Sequence, residues 1–170
     1  MGLRGSGIND ARAAVARGQE LFNSKLFRIS EVSGINDEPS FGSPLVVNGT
    51  CTTCHDTPNS GNHSVAAPLD IGVADARRRT SDMPLYTLRN KATGATVQTT
   101  DPGRALINGK WKDIGRFKGP ILRGLAARAP YFHNGSAKDL QAVVEFYESR
   151  FGISFTQQEK DDLIAFLRTL

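Results

Sequence analysis

The sequence predicts a mainly α-helical fold with a small β-hairpin and long loops. Helical patterns of apolar residues occur near the N-terminus and twice at the C-terminal end, and one stretch between them is typical of paired strands. At 170 residues, 39% of them hydrophobic, the chain has the size of one globular domain with a real core. We expect this domain to cover residues 9–170. Residues 1–8, polar and rich in glycine, are expected to be a disordered or artificially added leader.

The first predicted helix begins near Asn9 or Asp10, either of which can serve as the N-cap, and runs to about Asn23. Gly18 lies inside this helix, where glycine costs about 1 kcal/mol relative to alanine. A glycine at this position makes sense if another helix crosses closely; otherwise it is a mild weakness. The stretch that follows, residues 24–50, is predicted to be mostly irregular.

Two further helices are predicted at the C-terminal end. Ser136 is the expected N-cap of the first, with Asp139 in the third position as a variant of the capping box. Residues of this helix recur at i, i+3, i+4 and i+7 and form one buried face: Leu140, Val143, Val144 and Tyr147. The last helix has a stronger capping box, Thr156 with Glu159. Its apolar face is formed by Leu163, Ile164, Phe166, Leu167 and Leu170.

Residues 83–100 have the pattern of a β-hairpin. Two short runs rich in Thr, Leu, Tyr and Val flank a Lys-Ala-Thr-Gly turn, and an Asp-Pro-Gly sequence ends the second run. The hairpin therefore lies between the N-terminal helix and the two C-terminal helices.

The only two cysteines of the chain, Cys51 and Cys54, are three residues apart, and His55 follows directly. C-x-x-C-H is the attachment signature of a c-type haem. Two thiols on one turn can each form a thioether with one vinyl group of the porphyrin, and the next residue then presents its imidazole to the iron as the proximal ligand. The sequence therefore predicts one covalent haem c. Apolar residues of the preceding stretch are available to pack on it: Phe27, Phe41, Leu45, Val46 and Val47.

Three other interpretations of the C-x-x-C-H motif agree less well with the rest of the sequence. A structural zinc site requires about four Cys or His ligands, and only His63 and His133 remain outside the motif. A thioredoxin-like C-x-x-C lies between a strand and a helix, whereas here both flanks are rich in Gly, Pro, Ser and Asn. A plain disulfide would account for nothing beyond the two cysteines. Three helices, with the haem motif after the first, instead give a cytochrome c-like helical fold around one covalent haem, in which the first and last helices cross at Gly18.

Charge and hydropathy narrow the range of partners. The formal net charge is +4, which two haem propionates would reduce to about +2, so nucleic-acid binding has little support. No apolar run approaches the ~20 residues of a membrane span. No signal peptide is recognisable, although c-type haem is attached outside the bacterial cytoplasm. We expect an exported, periplasmic protein whose leader is absent from this sequence.

Four segments appear in an order that carries a family resemblance. They are Gly-Gln-Glu-Leu-Phe (residues 18–22), the haem motif (51–55), Phe-Lys-Gly-Pro-Ile-Leu-Arg-Gly (117–124) and Ala-Pro-Tyr-Phe-His-Asn-Gly (129–135). Over most of residues 12–170 the chain resembles the carboxy-terminal haem domain of the bacterial di-haem cytochrome c peroxidase and MauG family. The β-hairpin looks like an insertion relative to the shorter peroxidases.

The resemblance implies a role in electron transfer. Family peroxidases carry two haem motifs in two domains, and peroxide reacts at the haem of the other domain. This chain has one motif and is similar to the electron-transfer half. The expected partner is therefore a redox protein or a second haem domain. A calcium ion lies between the two domains in the peroxidases, but none is predicted here without the other domain.

Four residues are candidates for the sixth iron ligand. The family places its distal ligand, a methionine in typical peroxidases and a tyrosine in MauG, at the position that matches Tyr147. That residue could equally be a buried aromatic with a hydrogen-bonded hydroxyl. Met83, the only internal methionine, would raise the potential by thioether ligation but has no family support. His63 lies in a polar loop, and His133 matches a histidine that lies near the haem in the family without binding it.

The expected contacts of the haem propionates are Arg104, Lys118 and Arg123, because they are positively charged and lie in segments that resemble the family. The alternative is that each is an ordinary charged residue at the surface. The basic run at residues 77–79 is either a solvated surface or a docking patch for an acidic redox partner.

Three functions remain open at this point. The first is a periplasmic domain that transfers single electrons. The second is a peroxidase or MauG-like enzyme, or a fragment of one. The third is an interaction module in which the haem is only structural.

Overall fold

The computed structural model describes residues 3–55 and 67–170. In this part of the chain, the longer helices are α1 (Leu3–Ser24), α3 (Leu140–Phe151) and α4 (Gln157–Leu167), and α2 (Ala105–Asn108) is a single turn. Four short strands form two separate pairs: β1 (Phe27–Ser30) with β2 (Val46–Gly49), and β3 (Tyr86–Arg89) with β4 (Thr96–Thr99). The predicted class, mainly helical with a small hairpin and long loops, is confirmed. None of the described helices combines the length and the apolar character needed to span a bilayer.

Helix α1 crosses α4 at Gly18, as the sequence predicted. A Cβ atom added at Gly18 would lie 2.0 Å from the backbone oxygen of Asp162 and 2.8 Å from Cβ of Phe166. The absence of a side chain therefore allows the two backbones to touch. One residue earlier, the Arg17 guanidinium donates two hydrogen bonds to the Asp162 carboxylate, at 2.6 and 2.7 Å. A charge-assisted bidentate contact thus lies beside the crossing point.

The start of α1 differs from the prediction. The helix begins at Leu3, well before Asn9 and Asp10, so the expected cap residues lie inside it and residues 3–8 belong to the helix.

The N-cap of α3 also differs from the prediction. Asp139, not Ser136, caps this helix, and its Oδ1 accepts a hydrogen bond from the backbone N–H of Ala142 at 2.8 Å. The reason lies in the preceding turn, which is closed by two backbone hydrogen bonds between Tyr131 and Ala137. Ser136 belongs to that turn and is not available as a helix cap. For α4 the capping box of Thr156 and Glu159 is confirmed in both directions.

Strands β1 and β2 were not predicted. They pair antiparallel from Phe27 opposite Gly49 to Ser30 opposite Val46, within a stretch predicted to be irregular. Because 15 residues separate the two strands, no local turn signal reveals their pairing. The hairpin of β3 and β4 is confirmed, with Tyr86 opposite Thr99.

The core consists of two clusters of buried apolar side chains. The larger one joins α1, α3, α4 and residues 122–137, and includes Phe22, Leu140, Val144, Leu163, Phe166 and Leu167. The smaller one consists of Ile29, Val32, Ile35 and Leu69.

Arg150 of α3 connects the helical part of the molecule to the loops around the smaller cluster. Its Nε donates to the Ile71 carbonyl at 3.0 Å, and its Nη2 donates to the carbonyls of Ser30 at 3.1 Å and Glu31 at 2.8 Å.

Candidate haem site

A cavity of about 420 Å³ lies between the two clusters. This volume is within the range of small-molecule and cofactor sites. Both clusters contribute to its walls, which are predominantly apolar and aromatic. Representative lining residues are Phe22, Phe27, Ile29, Val32, Leu69, Phe117, Phe132, Val144, Phe151 and Leu163. Of the apolar residues expected to pack on haem, Phe27 lines the cavity. Phe41 and Leu45 are instead exposed to solvent.

All three functional residues of the C-x-x-C-H motif line this cavity. The motif folds as a short helical turn, in which the backbone N–H groups of Cys54 and His55 both donate to the Cys51 carbonyl, at 3.2 and 3.0 Å. The chain enters this turn through Gly49, where a Cβ atom would lie 2.4 Å from Oγ1 of Thr53. The turn thus directs two thiols and an imidazole into one apolar space.

The structure gives little support to a disulfide or a metal site at the two cysteines. Cys51 and Cys54 are not joined in a disulfide. Burial raises the pKa of Cys51 to about 12, so the free thiol would be protonated and a poor metal ligand. Among the residues that the structure describes, no group of three or more His, Cys, Asp and Glu side chains could hold a metal ion. A structural zinc site therefore has no ligand set there.

Tyr147 lies on α3 and also lines the cavity. Its ring packs among the aromatic side chains of Phe132, Phe146 and Phe151. Burial raises the pKa of the Tyr147 phenol above its ordinary value of 10. No hydrogen bond joins its hydroxyl to any residue in residues 3–55 or 67–170, whereas the Tyr131 hydroxyl donates to the Leu125 carbonyl at 3.1 Å.

Met83 is buried but is not among the cavity-lining residues. Its sulfur lies 4.0 Å from Nδ2 of Asn134, and the same amide donates to the Val73 carbonyl at 3.1 Å. Val73 does line the cavity. Met83 therefore packs behind the wall rather than forming part of it.

Of the two remaining histidines, only His133 lies among the described residues. His63 lies outside the described residues. His133 lies at the rim of the cavity, where its ring centre is 4.8 Å from that of Phe117 in a tilted arrangement and its Nδ1 contacts the carboxylate of Asp101.

The three expected propionate contacts have different positions. Lys118 lines the cavity with an exposed side chain. Arg104 does not line it, and its guanidinium lies 3.9 Å from the Asp113 carboxylate. Arg123 is exposed and is also not a lining residue. Arg128, which was not singled out from the sequence, does line the cavity, and its Nη2 donates to the Ile121 carbonyl at 2.5 Å. Its place directly before the Ala-Pro-Tyr-Phe-His motif was the available signal.

The basic run at residues 77–79 does not form one cationic patch. Arg77 is largely exposed and pairs with Asp75 at 2.8 Å. The guanidinium of Arg78 lies 4.6 Å from the ring centre of Phe146, and Arg79 donates to a backbone carbonyl. Arg77 and Arg79 are exposed, whereas Arg78 is half-buried, so the three side chains do not share one solvent-facing surface.

The residues present fit a c-type haem. The cavity offers an apolar space, a wall with two thiols and an imidazole, and a rim with the cations of Lys118 and Arg128. Apolar walls suit a porphyrin, and cations at the rim suit its propionates.

Comparison with known proteins agrees with this fit, although no protein-family model matches the chain. The chain is 30% identical over 140 residues to cytochrome-c peroxidase IdrP1 of Pseudomonas sp. (strain SCT), covering 71% of this chain and 36% of that protein. It is 28% identical over 139 residues to cytochrome c551 peroxidase of Nitrosomonas europaea, covering 81% and 35%. It is 40% identical over 65 residues to MauG of Methylorubrum extorquens, covering 32% and 18%.

The fold is similar to that of a MauG-like protein associated with microbial copper homeostasis. The TM-score is 0.53 at 26% sequence identity, over 92% of this chain and 43% of the other. The chain spans about a third of the length of the curated peroxidases it matches. These relationships support a c-type haem and a redox function. The chain belongs to the di-haem cytochrome c peroxidase and MauG family.

Proposed function

We propose that this chain is a periplasmic electron-transfer domain that carries a single c-type haem. Cys51 and Cys54 would hold the haem through thioethers, His55 would be the proximal ligand and Tyr147 the distal one. The observation that carries the proposal is that one apolar cavity collects these four side chains. When bound, the haem supplies one-electron chemistry at its iron.

Tyr147 is favoured as the distal ligand by its surroundings. Its hydroxyl has no hydrogen bond to a described residue, which is unusual for a buried tyrosine that lines a cavity. Met83, the competing ligand, is engaged behind the wall with Asn134. Because burial raises the pKa of Tyr147, its phenol stays protonated unless a strong electrophile such as ferric iron replaces the proton. A phenolate ligand stabilises ferric iron and therefore lowers the reduction potential.

If His55 and Tyr147 both bound the iron, no open position would remain for a substrate, and the site would favour electron transfer. The exposed side chains of Lys118 and His133 at the rim leave this edge of the cavity accessible to a redox partner. That partner would be a redox protein or a second haem domain. In either case the residues of this chain would position the cofactor, and the apolar walls of the cavity would exclude water from it.

The names of the relatives favour a second candidate, a cytochrome c peroxidase or MauG-like enzyme, or a fragment of one. The chain spans about a third of the matched peroxidases, so a catalytic haem in a further domain is compatible with the comparisons. Peroxide turnover by the haem-loaded chain, together with a high-spin ferric signal, would favour this candidate.

Absorption and electron paramagnetic resonance spectra of the haem-loaded protein test the proposal. We expect a six-coordinate, low-spin ferric haem without the sulfur-to-iron charge-transfer band. Tyr147→Phe should convert it to a five-coordinate or water-ligated form and raise its reduction potential. Met83→Leu should leave the spectrum unchanged.

Tyr131→Phe is the matched control, because this tyrosine lines the same cavity but its hydroxyl is bound to the Leu125 carbonyl. A charge-transfer band that is lost only in Met83→Leu would rule out tyrosine ligation. Equal spectra for Tyr147→Phe and wild type would rule it out as well. Loss of covalent haem in Cys51→Ser or Cys54→Ser, seen on a denaturing gel, would test the attachment separately.

A further inference from the structure

Residues 102–116 form an excursion that is closed at its base and leads into Phe117 of the haem-cavity wall. At its base the backbone N–H of Arg104 donates to the Arg116 carbonyl at 2.9 Å, and that of Gly115 donates to the Pro102 carbonyl at 3.2 Å. Helix α2 lies within this segment. The excursion is thus attached by backbone hydrogen bonds close to Phe117 of the cavity wall.

A polar cluster inside the excursion holds its shape. Nδ2 of Asn108 donates to Oδ2 of Asp113 at 2.6 Å, and the guanidinium of Arg116 lies 3.5 Å from the same carboxylate. Asp113 and Arg116 are both 7% exposed. Asp113 therefore has its partners within the segment, and the outer part of the loop does not depend on another molecule for its fold.

The outer part, residues 104–112, carries apolar side chains in solvent. Leu106 is 74% exposed, Ile107 is 86% exposed and Trp111 is 36% exposed. Two adjacent aliphatic residues at such exposure form a protruding apolar point rather than the edge of a core. We call residues 104–112 the tip loop.

The charges of the tip loop have one sign. Arg104, Lys110 and Lys112 are exposed. The only acidic residue of the whole excursion is Asp113, which is buried in the polar cluster. The tip loop therefore combines exposed Leu, Ile and Trp side chains with three cations and no exposed carboxylate.

We propose that the tip loop docks this protein on an anionic lipid bilayer. Leu106 and Ile107 would enter the headgroup region, Trp111 would lie at its boundary, and the lysines would pair with lipid phosphates. This combination of apolar residues, an aromatic ring and basic side chains is the one that favours interfacial binding. Each Lys or Arg near an anionic surface strengthens the binding further.

A protein partner is the alternative to a lipid bilayer. The small apolar area of the tip loop argues against a protein partner. A specific protein interface buries about 800 Å² on each partner. Three side chains, one of them only 36% exposed, provide only part of that area. A protruding point of this size needs no complementary pocket when the partner is a bilayer.

Co-sedimentation of the haem-loaded protein with vesicles tests the proposal, with haem absorbance as the measure of bound protein. We expect binding to phosphatidylglycerol vesicles, weak binding to phosphatidylcholine vesicles, and release by high salt. Ile107→Ser should lower the partition coefficient about tenfold. Lys110→Gln and Lys112→Gln should each lower it about fivefold.

Matched controls separate the tip loop from general surface properties. Leu45→Ser removes an aliphatic side chain that is 89% exposed outside the excursion, and Lys91→Gln removes a cation at the turn between β3 and β4. Both should bind as wild type does. Equal effects of the control and tip-loop variants would overturn the proposal, as would equal binding to the two lipids. Failure to bind either vesicle would also overturn it and would leave a protein partner as the occupant.

Discussion

Replacing Gly18 with alanine should destabilise the fold, although alanine is the better helix former. In an exposed helix interior, this substitution gains about 1 kcal/mol of stability. At Gly18, however, the added methyl group would lie 2.0 Å from the backbone oxygen of Asp162 and 2.8 Å from Cβ of Phe166. The backbone of α4 cannot rotate away as a flexible side chain would. The distance between α1 and α4 must therefore increase.

The size of the effect follows from these distances. Ordinary contact begins at 3.4 Å, so the helices would have to move apart by about 1.4 Å, the difference between 3.4 and 2.0 Å. Overpacking of this kind costs about 1–3 kcal/mol, and the movement would also strain the bidentate contact of Arg17 with Asp162. Because the clash is with backbone, we expect a cost at the upper end of this range, about 3 kcal/mol, and a net loss of about 2 kcal/mol after the gain of about 1 kcal/mol in helix propensity. For a chain of this length, that loss corresponds to a Tm lower by about 4–8 °C.

Thermal and denaturant unfolding of the haem-loaded protein, followed by circular dichroism, would measure the change. Gly7→Ala is the matched control, because Gly7 belongs to the same helix and a Cβ atom there meets nothing within 4 Å. It should leave stability unchanged or raise it by up to about 1 kcal/mol. If Gly18→Ala proved as stable as Gly7→Ala, the close crossing of α1 and α4 would be wrong.

Three further predictions concern other contacts of the fold. The hydrogen bonds from Arg17 lower the pKa of Asp162 below its ordinary 3.8, so this pair stabilises the protein above that pH and the contribution disappears as pH falls through the lowered pKa. Arg17→Gln should therefore reduce Tm at pH 6 and have a smaller effect in acid unfolding at pH 3; equal effects at both would contradict the assignment. Thr156→Ala should cost about 1 kcal/mol in denaturant unfolding through loss of the α4 cap, whereas Thr156→Ser should retain most of it. Arg150→Lys should cost about 2 kcal/mol, because a lysine ammonium cannot reproduce the three guanidinium bonds to backbone carbonyls, and an unchanged Tm would show that these bonds are dispensable.

The residues that identify the cofactor site are close together in the chain, and this is why the sequence could predict them. Cys51, Cys54 and His55 lie on a single turn, so their spacing alone fixes that both thiols and the imidazole face the same side. The crossing of α1 and α4 at Gly18 was also predictable, since a cytochrome c-like order of helices brings the first and last helices together and a glycine allows close approach of a second backbone. Likewise, the capping box of Thr156 and Glu159 operates within four residues and needs no tertiary information.

Features that depend on distant residues could not be predicted in the same way. Strands β1 and β2 pair across 15 intervening residues, and their register is set by packing rather than by a turn. Asp139, and not Ser136, is the cap of α3, because Ser136 is part of the turn that the backbone hydrogen bonds between Tyr131 and Ala137 close. Both outcomes result from competition between a local signal and a contact that forms only in the folded chain.

The two candidates for the distal ligand show the division most clearly. By itself, the sequence determined the haem motif, the mainly helical class and the family resemblance, because each rests on short motifs or on their order. It left Tyr147 and Met83 as alternatives, since both are plausible ligands by chemistry. Only the tertiary structure placed Tyr147 in the cavity wall and Met83 behind it, beside Asn134. Burial and neighbours, which distinguish the two side chains, are properties of the packed chain and not of the residues themselves.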